Sequence, residues 1–137
     1  MEQWEELMKA TNKAYETHCY YTALELCQRA LRQAVRCFEG QLDPDSDKLL
    51  SAVMVSHFNL ADTYIALDQV VQAAEVFEDA SIYLKGLLAE RHLGELQKIA
   101  VLRAGNCLHT EWNRFFHKYH AELPHEMQPR CNGLHLH

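Results

Sequence analysis

An all-α fold of five helices is what this sequence predicts, and three observations carry it. Proline and glycine are scarce, 3 and 5 in 137 residues, while Ala, Leu, Glu and Gln are abundant, a composition that favours helix. Apolar residues recur at spacings of three and four along most of the chain, as on a helix face turned to a core. Short breaks at His18-Cys19 and near Leu67–Val70 divide that periodicity into hairpin-sized stretches, so neighbouring helices should run antiparallel. A chain of 137 residues can bury a core of its own as one domain. We place the helical domain at residues 1–122 and an irregular or mobile His-containing tail at 123–137.

The first helix covers about residues 2–17, its broad apolar stripe running Trp4, Leu7, Met8, Ala10, Thr11, Ala14 and Tyr15. After the turn at His18-Cys19, the second runs from about Tyr20 to Phe38, with Ala23, Leu26, Cys27, Ala30, Leu31 and Ala34 spaced for burial. Gly40 supplies its stop, as glycine commonly does just past a helix. Asp43-Pro44-Asp45-Ser46 is the strongest punctuation in the chain. Asp43 suits a cap and Pro44 the first helical position, where its missing N–H costs nothing. The third helix then reaches about Leu67, and Asp68 is expected to cap a fourth that carries Val71, Ala74, Phe77 and Tyr83 to about Lys85. Gly86–Gly94 suits an extension of either neighbour or a turn. A long fifth helix spans about 95–120, with Leu96, Ile99, Ala100, Ala104, Cys107, Leu108, Trp112, Phe115, Phe116 and Tyr119 on its stripe. Its four last aromatics exceed what one core stripe needs, and some are assigned to a dimer contact.

Charge and composition exclude several classes. A net charge of −6 argues against general affinity for nucleic acid or anionic membranes, since attraction to phosphate is missing. Arg29, Arg32 and Arg36 form a basic stripe, but without interleaved aromatics it reads as a solvated face. The acidic start Met1-Glu2-Gln3-Trp4-Glu5-Glu6 lacks an apolar h-region, so no signal peptide is expected. No stretch has the apolar length of a membrane span. Five cysteines (19, 27, 37, 107 and 131) without C-x-x-C spacing fit reduced thiols in a cytoplasmic protein.

The chain also repeats itself. Leu7, Ala10, Thr11 and Ala14 precede Ala23-x3-Cys27-x2-Ala30, as His57, Leu60, Ala61 and Tyr64 precede Ala73-x3-Phe77-x2-Ala80; the offset is 50 residues. Small residues alternate with large ones, which lets paired helices approach closely while Leu60, Tyr64 and Phe77 fill the space between them. This pattern resembles the tetratricopeptide repeat, whose common period is about 34 residues. The longer period, with Cys37-Phe38-Glu39-Gly40-Gln41-Leu42-Asp43-Pro44 at the junction, is similar to the kinesin-light-chain type of repeat. Leu7 and His57 stand where the common motif has Trp. The resemblance covers about residues 4–85. It implies a right-handed superhelix of antiparallel hairpins, with the fifth helix as a cap or as the start of a third repeat. An unrelated five-helix bundle is the alternative.

In that family the first helix of each repeat lines a groove. The resemblance therefore implies groove positions at Met8, Asn12, Tyr15, Val55, Phe58, Asn59, Asp62, Ile99, Arg103 and Asn106. Such a lining suits an extended or helical peptide held through side-chain amides. Asn12, Asn59 and Arg103 also match three of the five positions with which some tetratricopeptide domains clamp a C-terminal carboxylate. The lysine positions hold Met8 and Ile99 instead, and Lys9 and Lys98 are about 100° of helix rotation away.

Histidine is the other anomaly, with six of 9 (109, 117, 120, 125, 135 and 137) near the C-terminus. His117, His120, Cys131, His135 and His137 are metal candidates by residue type, although their spacing matches no structural zinc pattern. There is no phosphate loop, no H-E-x-x-H and no G-x-S-x-G. The activated-thiol reading of Cys19 beside His18 has no further support, so no enzyme and no cofactor are expected. The functional expectation is an adaptor that binds a protein or peptide in a groove lined by the first, third and fifth helices. It is expected to bind neither nucleic acid nor membrane. A secretion-chaperone-like homodimer that holds an unfolded client, and a metal sensor built on the histidines, are the alternatives.

Overall fold

The computed structural model describes residues 1–39, 45–90 and 92–127. It is all-α: α1 (Glu2–Glu16), α2 (Tyr20–Glu39), α3 (Ser46–Ala66), α4 (Val70–Leu88) and α5 (Glu95–Tyr119), followed by single 3-10 turns at His120–Glu122 and His125–Met127. Helices α1 and α2 form one hairpin and α3 and α4 another, with α2 packed on α3 and α5 lying across both α3 and α4. Expected and observed boundaries agree within a few residues. Gly40, Asp43 and Pro44 lie outside the described residues, and α3 begins at Ser46 after Asp45, which makes no side-chain cap bond.

Helix α3 sits at the centre. Leu50, Val53, Met54, Leu60 and Ala61 are buried around its circumference because α2, α4 and α5 surround it. By contrast α1 buries only Thr11 and Ala14, so it is the edge helix. It is tied across to α3 by the Trp4 indole, whose Nε1–H donates to Ser56 Oγ at 2.8 Å. Ala23, Ala30, Ala34, Ala61, Ala73 and Ala80 are all fully buried. Small side chains at these crossings let the helix axes come close enough for neighbouring ridges to interlock. His57, which stands in the large-residue slot of the second hairpin, is buried and donates Nδ1–H to the Val53 carbonyl at 2.9 Å.

The two hairpins close with the same turn. In the first, Cys19 N–H bonds Ala14 O at 2.8 Å and His18 N–H bonds Tyr15 O at 3.1 Å. In the second, Gln69 N–H bonds Tyr64 O at 2.8 Å and Asp68 N–H bonds Ile65 O at 2.9 Å. This is the Schellman pairing, in which the residue just past the helix takes a left-handed conformation. His18 and Asp68 supply it, with φ of 61° and 59°. The 50-residue offset is therefore present in main-chain geometry as well as in residue pattern.

Three expectations need correction. Asp68 does not cap α4; Gln69 occupies that position, without a side-chain bond, and Asp68 is spent on the turn. Helix α4 does not stop at Lys85 but passes through Gly86 to Leu88, because Leu84 and Leu87 are buried on its inner face and hold the extra turn. The aromatics of α5 that look surplus from the sequence have partners within the fold. Phe115 is buried, while Trp112, Phe116 and Tyr119 pack against the core. Phe77 is the hub, with ring centroids 6.3 Å from Phe58, 6.2 Å from Trp112 and 5.0 Å from Phe115. Packed structure also continues past residue 122, with Leu123 buried and Met127 against the core.

Candidate functional site

The ten groove positions named from the sequence divide into two groups, and none of the ten is buried. Asn12 and Tyr15 of α1 meet Asn59 and Asp62 of α3 in one cleft of about 220 Å³, completed by Thr11 and Thr63. Met8 borders it, with Asn59 Nδ2 at 4.0 Å from its sulfur. The other five lie elsewhere on the same three helices. Val55 and Ile99 are 41 % and 43 % exposed, and Asn106 is exposed on α5. Phe58 is half-buried, its ring turned toward Phe77. Arg103 is held by Asp47, with Nη1 2.6 Å from Oδ2.

The cleft follows from local helix chemistry. Threonine in mid-helix bonds back to the preceding turn, and both floor threonines do so: Thr11 Oγ1 donates to Leu7 O at 2.7 Å and Thr63 Oγ1 to Asn59 O at 2.8 Å. With those protons committed, the hydroxyls present lone pairs inward. The Cys27 sulfur lies 3.7 Å from Thr63 Oγ1, and burial pushes its thiol pKa up, so this thiol stays protonated and unreactive. At the mouth, Tyr15 packs edge-on against Tyr20 with centroids 5.2 Å apart. Tyr20 Oη is 2.7 Å from His18 Nδ1, so the first turn also positions the ring at one end of the cleft. Thr11 and Thr63 were not legible as cleft residues, because at helical spacing a threonine in an apolar stripe reads as core.

The charge in the cleft is negative and uncompensated. Asp62 has no ion-pair partner among the described residues. It keeps solvent access at the surface, yet crowding by the cleft walls raises its carboxyl pKa, and Glu111 of α5 adds to the rise. Tyr15 is likewise raised, first by burial and then by Asp62. Burial is the larger cause of both shifts, and neighbouring negative charge adds to each. The same arrangement removes the carboxylate-clamp reading. Its one arginine is engaged by Asp47, and its two amides flank an aspartate that repels a carboxylate.

Among the described residues no group of three or more His, Cys, Asp or Glu is placed to hold a metal ion. His117 is exposed near the end of α5 and His120 lies against the Phe116 ring at 5.4 Å. Cys131, His135 and His137 lie outside the described residues. No helix among the described residues is long and apolar enough to cross a membrane.

Over residues 2–129 the chain matches the family described as Protein of unknown function (DUF2753). It belongs to that family. No curated protein and no solved structure matches it. Membership in the DUF2753 family spans all five helices, so the cleft and both turns lie within the family's common region.

Proposed function

We propose that this protein is a non-enzymatic, tetratricopeptide-like interaction domain that holds an extended partner segment along α1, α3 and α5 and seats a basic side chain in the α1–α3 cleft. One observation supports this reading above the others. Asn12, Tyr15, Asn59 and Asp62 converge on a cleft of about 220 Å³, and its carboxylate lacks a cation among the described residues. The amides of Asn12 and Asn59 suit the main chain of an extended segment. Asp62 suits a lysine or arginine, and Tyr15 offers an aromatic wall to its charge. The net charge of −6 favours encounter with a basic segment over an acidic one.

Panning a random peptide display library on the full chain tests this. Enrichment of peptides carrying lysine or arginine is expected, with affinity falling at least tenfold in Asp62→Asn and unchanged in Glu78→Gln on the exposed face of α4. Enrichment of acidic peptides, or binding indifferent to Asp62→Asn, refutes it.

A further inference from the structure

The first hairpin carries a second concavity, on the flank of α1 away from the cleft. Arg29, Arg32, Gln33 and Arg36 of α2 face Gln3, Glu6 and Leu7 of α1 around a cavity of about 540 Å³. Spacings of three and four residues set the arginines in one row, roughly 10 Å long at 1.5 Å per residue. By sequence the row suits a solvated face, and the concavity it lines together with its lack of counter-charges adds a second reading. Arg103 and Arg114 are each bound to a carboxylate, Asp47 and Glu111 respectively, at 2.6 Å and 2.9 Å. Arg29, Arg32 and Arg36 have no ion pair among the described residues, in a chain with 19 acidic residues. Glu6, although it lines the cavity, pairs with none of them.

We infer that this cavity is a site for a linear oligophosphate. Arg29, Arg32 and Arg36 are exposed along one row, and the anion that engages all three forks at once is one whose charges are also in a row. A guanidinium binds phosphate oxygens through two parallel N–H donors, and the Gln3 and Gln33 amides add neutral donors at the rim. A single phosphate spans one fork and leaves the rest unrelieved. A glutamate-rich peptide presents its charges on long, mobile side chains and loses more freedom on binding. Glu6 opposes any anion here and sets a ceiling on affinity.

Titration calorimetry at low salt with tripolyphosphate, orthophosphate and pentaglutamate tests the site. Tripolyphosphate is expected to bind at least tenfold more tightly than the other two, and to weaken as salt rises. Arg32→Gln is expected to lower its affinity at least fivefold, Arg114→Gln to leave it unchanged, and Glu6→Gln to raise it about threefold. That gain is one a misfolded variant cannot produce. No binding of tripolyphosphate, equal loss in Arg114→Gln, or pentaglutamate binding within threefold of tripolyphosphate overturns the proposal; the last result assigns the row to an acidic protein surface.

Discussion

Replacing Phe77 with alanine should remove the contact that binds α3, α4 and α5 into one core. The ring is 5 % exposed and lies within 6.3 Å, centroid to centroid, of Phe58, Trp112 and Phe115. Truncating a buried Phe to Ala costs about 3–5 kcal/mol through lost transfer energy and the cavity left behind. Each aromatic pair contributes roughly 0.5–1.5 kcal/mol beyond area, and two of the three sit near the outer distance limit, so we take about 4 kcal/mol in all. A domain of this size has a total stability of about 5–15 kcal/mol, and each kcal/mol shifts Tm by roughly 3–5 °C. The expected fall is therefore about 12–20 °C, read by far-UV circular dichroism, with a matching drop in urea midpoint at unchanged slope. Phe77→Leu, which keeps most of the volume, should cost only about 1–1.5 kcal/mol. Trp112→Ala should combine non-additively with Phe77→Ala because the two rings share one stack. A loss below about 1.5 kcal/mol for Phe77→Ala, or strict additivity with Trp112→Ala, refutes the assignment of Phe77 as the hub.

Two further outcomes are expected. Burial lowers the His57 pKa, against smaller opposing effects of the Val53 carbonyl and Asp79, so the folded state holds this ring neutral. The unfolded chain takes up the proton near pH 6.5, hence stability is full above that value and falls as pH drops below it, by up to about 1.4 kcal/mol per pH unit. Urea midpoints between pH 7.5 and 5 should show this slope and His57→Leu should flatten it; an unchanged slope sinks the assignment. Asp68→Gly should raise stability by about 0.5–1 kcal/mol, since glycine takes the left-handed turn position without side-chain strain. His18→Gly should gain less, because it also breaks the His18–Tyr20 contact at 2.7 Å. Thermal melts check both, and destabilisation by Asp68→Gly contradicts the turn argument.

Helix count and the hairpin turns were legible because each depends on local pattern. What needed coordinates was whatever depends on a neighbour from another helix. Asp68 suits an N-cap and a left-handed turn equally well from its short side chain, and only the bonds at Tyr64 and Ile65 decide between them. The aromatics of α5 looked surplus because their partners, Phe58 and Phe77, come from two other helices. The clamp failed for the same reason. Arg103 is spoken for by Asp47, 56 residues away in the chain, and no spacing rule shows that. The arginine row of α2 was visible at once, but its lack of counter-charges was not.

The duplicated turn has a consequence for how this architecture can vary. Main-chain bonds at His18–Cys19 and Asp68–Gln69 close both hairpins in the same way, without help from the exposed side chains that line the cleft. Those side chains are free to drift toward a new partner without bending the scaffold. A further 50-residue unit entering between such turns would lengthen the surface in whole-hairpin steps, like links added to a chain. Recognition and shape are thereby separable traits, one written in exposed side chains and the other in the hinge-like joints between helices.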